Sequence, residues 1–163
     1  DMDGEAVIKS AGSYTVPVGR GSLIKANGLT IIDDAYNASL ESVLMAVDSL
    51  MLAPGNPKYA LLGDIKEIEG YERQIYSQVV EKAKSSPEIN FILSGSGYQA
   101  FNSSANIKIV STHEQTIAEL EGINSGVIMI KASHSCDFDR YVEYITNKPR
   151  SAQDKLSGGK NAI

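Results

Sequence analysis

The sequence has 163 residues, 42% hydrophobic and 21% charged, which suffices for one folded domain and excludes an intrinsically disordered chain. The formal net charge is −5 and no basic run stands out, so no nucleic-acid partner is expected, because affinity for phosphate backbones comes from clustered Lys and Arg. The single cysteine, Cys136, excludes an intramolecular disulfide and a cysteine-based zinc site and fits a reducing cytosol. No apolar run approaches the roughly 20 residues that span a bilayer, and no signal peptide is evident. No membrane association is expected, and the expected location is cytoplasmic.

The chain opens on Asp1-Met2-Asp3-Gly4 without an initiator methionine. Residues 1–14 are therefore expected to be the end of an upstream domain or a linker. The stretch 14–26 can supply an edge strand or a hairpin. Short apolar runs at 29–32, 59–62, 89–93, 107–110 and 127–130 read as strands covered on both faces, since none alternates cleanly.

Helical spacing falls between these runs. Leu40, Val43, Leu44, Val47 and Met51 form one stripe, and Ile68, Ile75, Val79 and Ala83 a second. Residues 97–103 form a shorter helix candidate. Thr112 and Gln115 have capping-box spacing ahead of Ile117 and Leu120. Phe138, Tyr141, Val142 and Ile145 make the last stripe. The polar segment 148–163, with Gly158-Gly159, is expected to be a flexible tail. Alternating strands and helices predict an α/β fold over 15–147: a three-layer Rossmann-like domain with a mostly parallel sheet of about five or six strands.

In such sheets ligands bind beyond the carboxyl ends of the strands. Here those ends read Asp33-Asp34, Gly63-Asp64, Ser94-Gly95-Ser96-Gly97, Ser111-Thr112-His113 and Lys131-Ala132-Ser133-His134. The same residues also suit helix caps and polar turns. Gly95-Ser96-Gly97-Tyr98-Gln99-Ala100 fits the dinucleotide fingerprint G-x-G-x-x-G/A, with Glu114 further on. A dinucleotide-binding Rossmann module is therefore an alternative, although that fingerprint belongs to the first strand–helix unit of its fold and two units precede it here. His113 and His134 lack metal-site spacing, and His113 is expected in the first turn of a helix. The chain has no G-x-x-x-x-G-K-S/T phosphate loop and no serine-elbow motif. Neither metal ligands nor catalytic residues are expected within it.

Three segments act together. Gly19-Arg20 precedes a strand ending in Asp33-Asp34-Ala35-Tyr36-Asn37-Ala38. Leu61-Leu62-Gly63-Asp64-Ile65-Lys66-Glu67-Ile68 follows, and then Ile128-Met129-Ile130-Lys131-Ala132-Ser133-His134. In this order they resemble the C-terminal domain of the Mur ligases, most like the MurF branch. That family's segments read G-R, D-D-A/S-Y-N-A-N-P, L-G-D-M-x-E-L and V-K-G-S-R.

The resemblance implies an ATP-dependent, ADP-forming ligase of peptidoglycan precursors that adds D-alanyl-D-alanine to UDP-muramyl tripeptide. ATP would be the cofactor. The magnesium ligands and the phosphate loop would lie in a central domain outside this chain, so the chain alone would be inactive. By the same resemblance Arg20, Asp33, Asp34, Tyr36 and Asn37 would face the nucleotide, with Asp34 on the ribose. Lys131, Ser133 and His134 would face the amine substrate, while Asp64 and Glu67 would organise loops. The sequence departs from the family at Ser39-Leu40 (Asn-Pro in the family), Ala132 (Gly) and His134 (Arg). A non-catalytic interaction domain derived from a ligase is a further alternative.

Overall fold

A computed structural model describes residues 19–148. The expectations for residues 1–14, for the first part of 14–26 and for 149–163 lie outside the described residues.

The first strand, β1 (Ser22–Ala26), turns through Asn27-Gly28 into β2 (Leu29–Asp34). Both turn residues have positive φ, 52° and 83°, the backbone of a tight hairpin whose twist matches that of the strands. Then follow α1 (Leu40–Leu52), β3 (Lys58–Leu62), α2 (Glu72–Lys84), β4 (Ile89–Ser94), β5 (Ile107–Val110), α3 (His113–Glu121), β6 (Gly126–Lys131) and α4 (Asp139–Asn147). The six strands form one sheet in the order β1-β2-β6-β3-β4-β5. Only β1 is antiparallel to its neighbour. The expected α/β class holds.

Side chains alternate across each strand, and the core divides accordingly. Ala60, Leu62, Phe91, Leu93, Val127 and Met129 pack on one face with Val43, Val47 and Leu50 of α1 and Val79, Val80 and Ala83 of α2. Leu61, Ile92, Ile128 and Ile130 pack on the other with Leu120 of α3 and Tyr141, Val142 and Ile145 of α4. This is the three-layer arrangement that short apolar runs covered on both faces require.

Two expected elements differ. Ile68 packs against the core but precedes its helix, because Gly70 takes φ 85° and α2 starts only at Glu72. Residues 97–103 hold only a single 3-10 turn, Ser96–Tyr98. The capping box at Thr112 and Gln115 is present, and His113 opens α3 as expected.

A second capping box starts α1. The Ser39 hydroxyl accepts from Ser42 N–H at 3.3 Å, and Ser42 Oγ accepts from Ser39 N–H at 2.9 Å. Ser39 is thus the N-cap, and Leu40 the first helical residue. An Asn-Pro pair in those places would have the same helix-starting chemistry, so this departure keeps the local fold.

Candidate functional site

The chain passes through β3, β4 and β5 to one edge of the sheet, then returns to place β6 between β2 and β3. The helices after β2 and β3 cover one face, whereas α4, after β6, covers the other. Such a reversal opens a crevice at the carboxyl ends of the strands. A cavity of about 550 Å³ lies there, lined by residues following all three strands, among them Asn37, Ser39, Lys66, Ser133 and His134.

Strand register sets the chemistry of the rim formed by the strand ends themselves, next in the chain to the cavity's lining. Asp34 and Lys131 are ladder partners at the ends of β2 and β6. The Lys131 ammonium donates to Asp34 Oδ2 at 2.7 Å and to the Asn37 carbonyl at 2.8 Å. The Lys131 side chain is 3% exposed and that of Asp34 27%. Lys131 was expected to reach the amine substrate. Instead its charge is directed inward, where it fixes the acid and the turn after β2. Asp34 keeps its second oxygen, Oδ1, clear of any hydrogen bond from the described residues, so its acceptor lone pairs are unused by them.

The Arg20 loop is clamped to the same turn. Gly19 N–H donates to Asp33 Oδ2 at 3.1 Å, Gly21 N–H to the Asp33 carbonyl at 2.7 Å, and Tyr36 N–H to the Gly19 carbonyl at 2.9 Å. Gly19 has φ 78°, and a Cβ there would meet Tyr36 Cβ at 3.2 Å. A glycine therefore brings the loop onto the tyrosine. Asp33 is 2% exposed, and its Oδ1 accepts from Ala35 N–H. It was expected to face the nucleotide; burial and these bonds make it the peg that holds the loop.

Arg20 itself lies over the Tyr36 ring, 4.2 Å from the centroid, a cation–π contact. No carboxylate among the described residues pairs with it. The His134 ring stands 5.5 Å from that of Tyr36, so Arg20, Tyr36 and His134 form an exposed row beside the Asp34 rim. The two groups of residues expected to face different ligands therefore meet in one cluster. Ser133 is buried and its Oγ accepts from Lys66 N–H at 2.9 Å, which ties the turn after β6 to that after β3. Ala132 is fully buried; its methyl and the Phe138 ring occupy the space a Cβ at Gly63 would need.

A second carboxylate, Asp64, stands beyond β3 and is closed off. Oδ1 accepts from Gly97 N–H at 3.0 Å and Oδ2 from Ser96 N–H at 3.2 Å and Ser96 Oγ at 3.1 Å. The Tyr76 hydroxyl lies 3.2 Å from Oδ1, and the Lys66 ammonium 3.4 Å from Oδ2. Burial first, and then the Asp64 charge, push the Tyr76 hydroxyl well above its usual titration range. A Cβ at Gly95 would fall 2.3 Å from Asp64 Oδ1, and one at Gly97 1.9 Å from the Tyr76 ring. The dinucleotide-like turn thus wraps the protein's own carboxylate. Two of the backbone N–H groups that would cradle a pyrophosphate are already bonded, which removes the physical basis of that alternative.

Among the described residues no group of three or more His, Cys, Asp or Glu side chains could hold a metal ion, and no helix is long and apolar enough to cross a membrane. Sequence reasoning gave no role to Lys66, yet it lines this cavity and both neighbouring ones. Its position just past Gly63-Asp64 was the only available signal.

No protein-family model matches the chain. It is 24% identical over 148 residues to the UDP-N-acetylmuramoyl-tripeptide–D-alanyl-D-alanine ligase of Rickettsia prowazekii, covering 87% of this chain and 33% of that protein. The ligase of the same name from Synechocystis is 30% identical over 79 residues, 48% of this chain and 17% of the relative. The chain thus spans about a third, or less, of the length of the curated relatives it matches. Among solved structures, MurF ligase from Thermotoga maritima in complex with ADP aligns with a TM-score of 0.71 and 22% identity, covering 88% of this chain and 36% of that one. An Acinetobacter baumannii structure, the ligase named for joining D-alanyl-D-alanine to the alanyl-D-glutamyl-diaminopimelate substrate, aligns with a TM-score of 0.73 at 20% identity, over 90% and 33%. The resemblance to the Mur ligases, most like MurF, holds, and the fold is the one those ligases share.

Proposed function

We propose that this chain is the C-terminal domain of an ATP-dependent, ADP-forming ligase that adds D-alanyl-D-alanine to UDP-muramyl tripeptide in peptidoglycan precursor synthesis, in the cytoplasm. Its part is to supply one wall of the nucleotide and amine-substrate site. The observation that carries the reading is the Asp34 rim: a half-open carboxylate held by buried Lys131, beside an Arg20 that no carboxylate among the described residues pairs.

These residues suit a nucleoside diphosphate or triphosphate. Asp34 Oδ1 accepts from ribose hydroxyls. The Arg20 guanidinium offers a planar fork of donors to phosphate oxygens, and the exposed Tyr36 ring offers a flat apolar face. ATP supplies the phosphoryl group that activates the acceptor carboxylate. The chain's own residues orient the nucleotide and help exclude water from the closed site. His134 and the Ser133 turn lie on the side expected to meet the amine substrate. Magnesium ligands and the phosphate loop belong to a central domain, without which this chain does not turn over.

The test is an amide NMR titration of the chain with ADP. Saturable shifts are expected at Arg20, Asp34 and Tyr36, and Asp34→Asn is expected to weaken binding by roughly tenfold, the loss of one charged hydrogen bond. Shifts confined to the Ser96–Tyr98 turn, or none at millimolar ADP, would overturn the reading.

A further inference from the structure

Beyond the ends of β4 and β5, between the starts of α3 and α4, lies a smaller cavity of about 210 Å³. It shares only Lys66 and Ser135 with the cavity beside the Asp34 rim. Four segments bring a donor side chain to it. Lys66 comes from the loop after β3, His113 from the start of α3, Ser135 from the 3-10 turn His134–Cys136, and Arg140 from the start of α4.

The buried Tyr141 hydroxyl sets the histidine. It accepts from Arg140 Nη2 at 3.3 Å and lies 3.3 Å from His113 Nδ1. That nitrogen is the only acceptor the described residues offer the hydroxyl, so the hydroxyl proton points there and the ring proton sits on Nε2. Nε2–H is then a donor that no described residue uses. The exposed Ser135 hydroxyl is likewise unused by the described residues.

Acceptors are scarce by comparison. Asp64 is the one carboxylate in the lining, and both its oxygens already accept from Ser96 and Gly97. Lys66 holds it loosely, at 3.4 Å, and keeps its other ammonium protons. The acid beside Arg140 is Asp137, 3.9 Å away and 74% exposed. Glu114 accepts from its own N–H and from Thr112 at the start of α3. Burial pushes the titration of the Cys136 thiol up, so the thiol adds no negative charge near neutral pH. An ordinary solvated surface intersperses the two signs of charge; this cavity gathers donors and cations from four segments around one acid that is already filled.

We infer that this cavity binds a single phosphate group through Lys66, His113, Ser135 and Arg140. A lining of unused donors calls for a ligand that only accepts. A carboxylate offers two oxygens in one plane, whereas a phosphate offers oxygens in the several directions from which these four segments approach. The cavity is smaller than the roughly 300 Å³ at which sites for whole small molecules begin, which selects the phosphate group alone over a nucleotide. The inference stands apart from the ligase reading, which places ADP at the Arg20–Asp34 rim.

The experiment titrates the labelled chain with inorganic phosphate, acetate and ADP in turn, with sodium chloride holding the ionic strength constant. Millimolar phosphate is expected to give saturable shifts at the amides of His113, Ser135 and Arg140 and at the His113 ring. Arg140→Gln, at an exposed position, is expected to weaken phosphate binding three- to fivefold, as loss of one solvent-exposed ion pair does, with the melting temperature unchanged. Absence of saturable shifts, the same shifts from sodium chloride alone, or full affinity in Arg140→Gln overturns the inference. Acetate binding as tightly as phosphate overturns the choice of a phosphate group. ADP shifts at His113 and Arg140 support the cavity with the end of a larger ligand as its phosphate source, and shifts from inorganic phosphate alone support the free ion. ADP shifts at Arg20 and Asp34 report separately on the ligase reading, which stands or falls by them whatever the cavity does.

Discussion

Asp34 and Asp64 occupy matching positions, each at or just beyond the carboxyl end of a parallel strand, and their surroundings are opposite. Asp64 is 8% exposed and is surrounded by donors from Tyr76, Ser96, Gly97 and Lys66. Asp34 has one buried cation on one oxygen and nothing from the described residues on the other. An acid at a strand end is therefore not a site by position alone. What separates a structural knot from a ligand-facing rim is how many of its lone pairs the protein has already filled.

The largest test of this contrast breaks the knot. In Gly97→Val the new Cβ would lie inside the Tyr76 ring, at 1.9 Å. The ring is buried in the core and has little room to yield. The expected loss exceeds about 4 kcal/mol, the range of severe core disruption, measured by denaturant unfolding. A variant of near-native stability would mean that the turn is not held as described.

A smaller and asymmetric effect is expected at the rim. Asp34→Ala strands the Lys131 ammonium at 3% exposure, at a cost of about 3 kcal/mol, the penalty for breaking a buried pair. Lys131→Met leaves the charge on Asp34, which is 27% exposed and still hydrated, so roughly half that cost is expected. Urea titrations of the two variants side by side check the order. Equal losses would show that Lys131 is not the buried partner.

Most of the fold was legible because its strands are short continuous apolar runs and its helices have clean stripes; the ends of β2 and β6 were not. Asp34 and Lys131 stay in the ladder because the acid and the base neutralise each other across it, and Asp33 stays because backbone N–H groups fill its carboxylate; no hydropathy pattern shows either pairing. The Asn27-Gly28 dipeptide was a readable hairpin signal, and it fixes the edge that the sequence left between strand and hairpin. In the site, residue identity pointed to the right turns but not to the roles within them. Asp33 next to Asp34 looks equivalent in sequence, yet alternation along the strand sends one into the fold and leaves the other half-open. The glycines of the 95–97 turn looked like a cradle for a ligand. The anion they hold comes from a strand end some 30 residues earlier, at Asp64, a pairing that only the parallel order of β3 and β4 brings about.

The mildest test removes one oxygen from the knot. Tyr76→Phe keeps the ring, including its edge-on contact with Tyr98 at 4.7 Å, and deletes the hydroxyl. That hydroxyl accepts from Ile65 N–H at 3.1 Å and faces Asp64 Oδ1. A buried amide then lacks its acceptor, which costs about 1–2 kcal/mol near neutral pH. The pH dependence gives a second reading. Because burial and Asp64 raise the titration of Tyr76 in the folded state, its contribution is intact below the ordinary tyrosine value of about 10 and declines as the pH rises beyond it. Tyr98, also raised by burial, adds to the same alkaline loss and is present in both proteins. The stability gap between the parent and Tyr76→Phe is therefore expected to narrow above about pH 10. A gap that stays constant there would place the Tyr76 hydroxyl in water and leave the Asp64 knot open on that side.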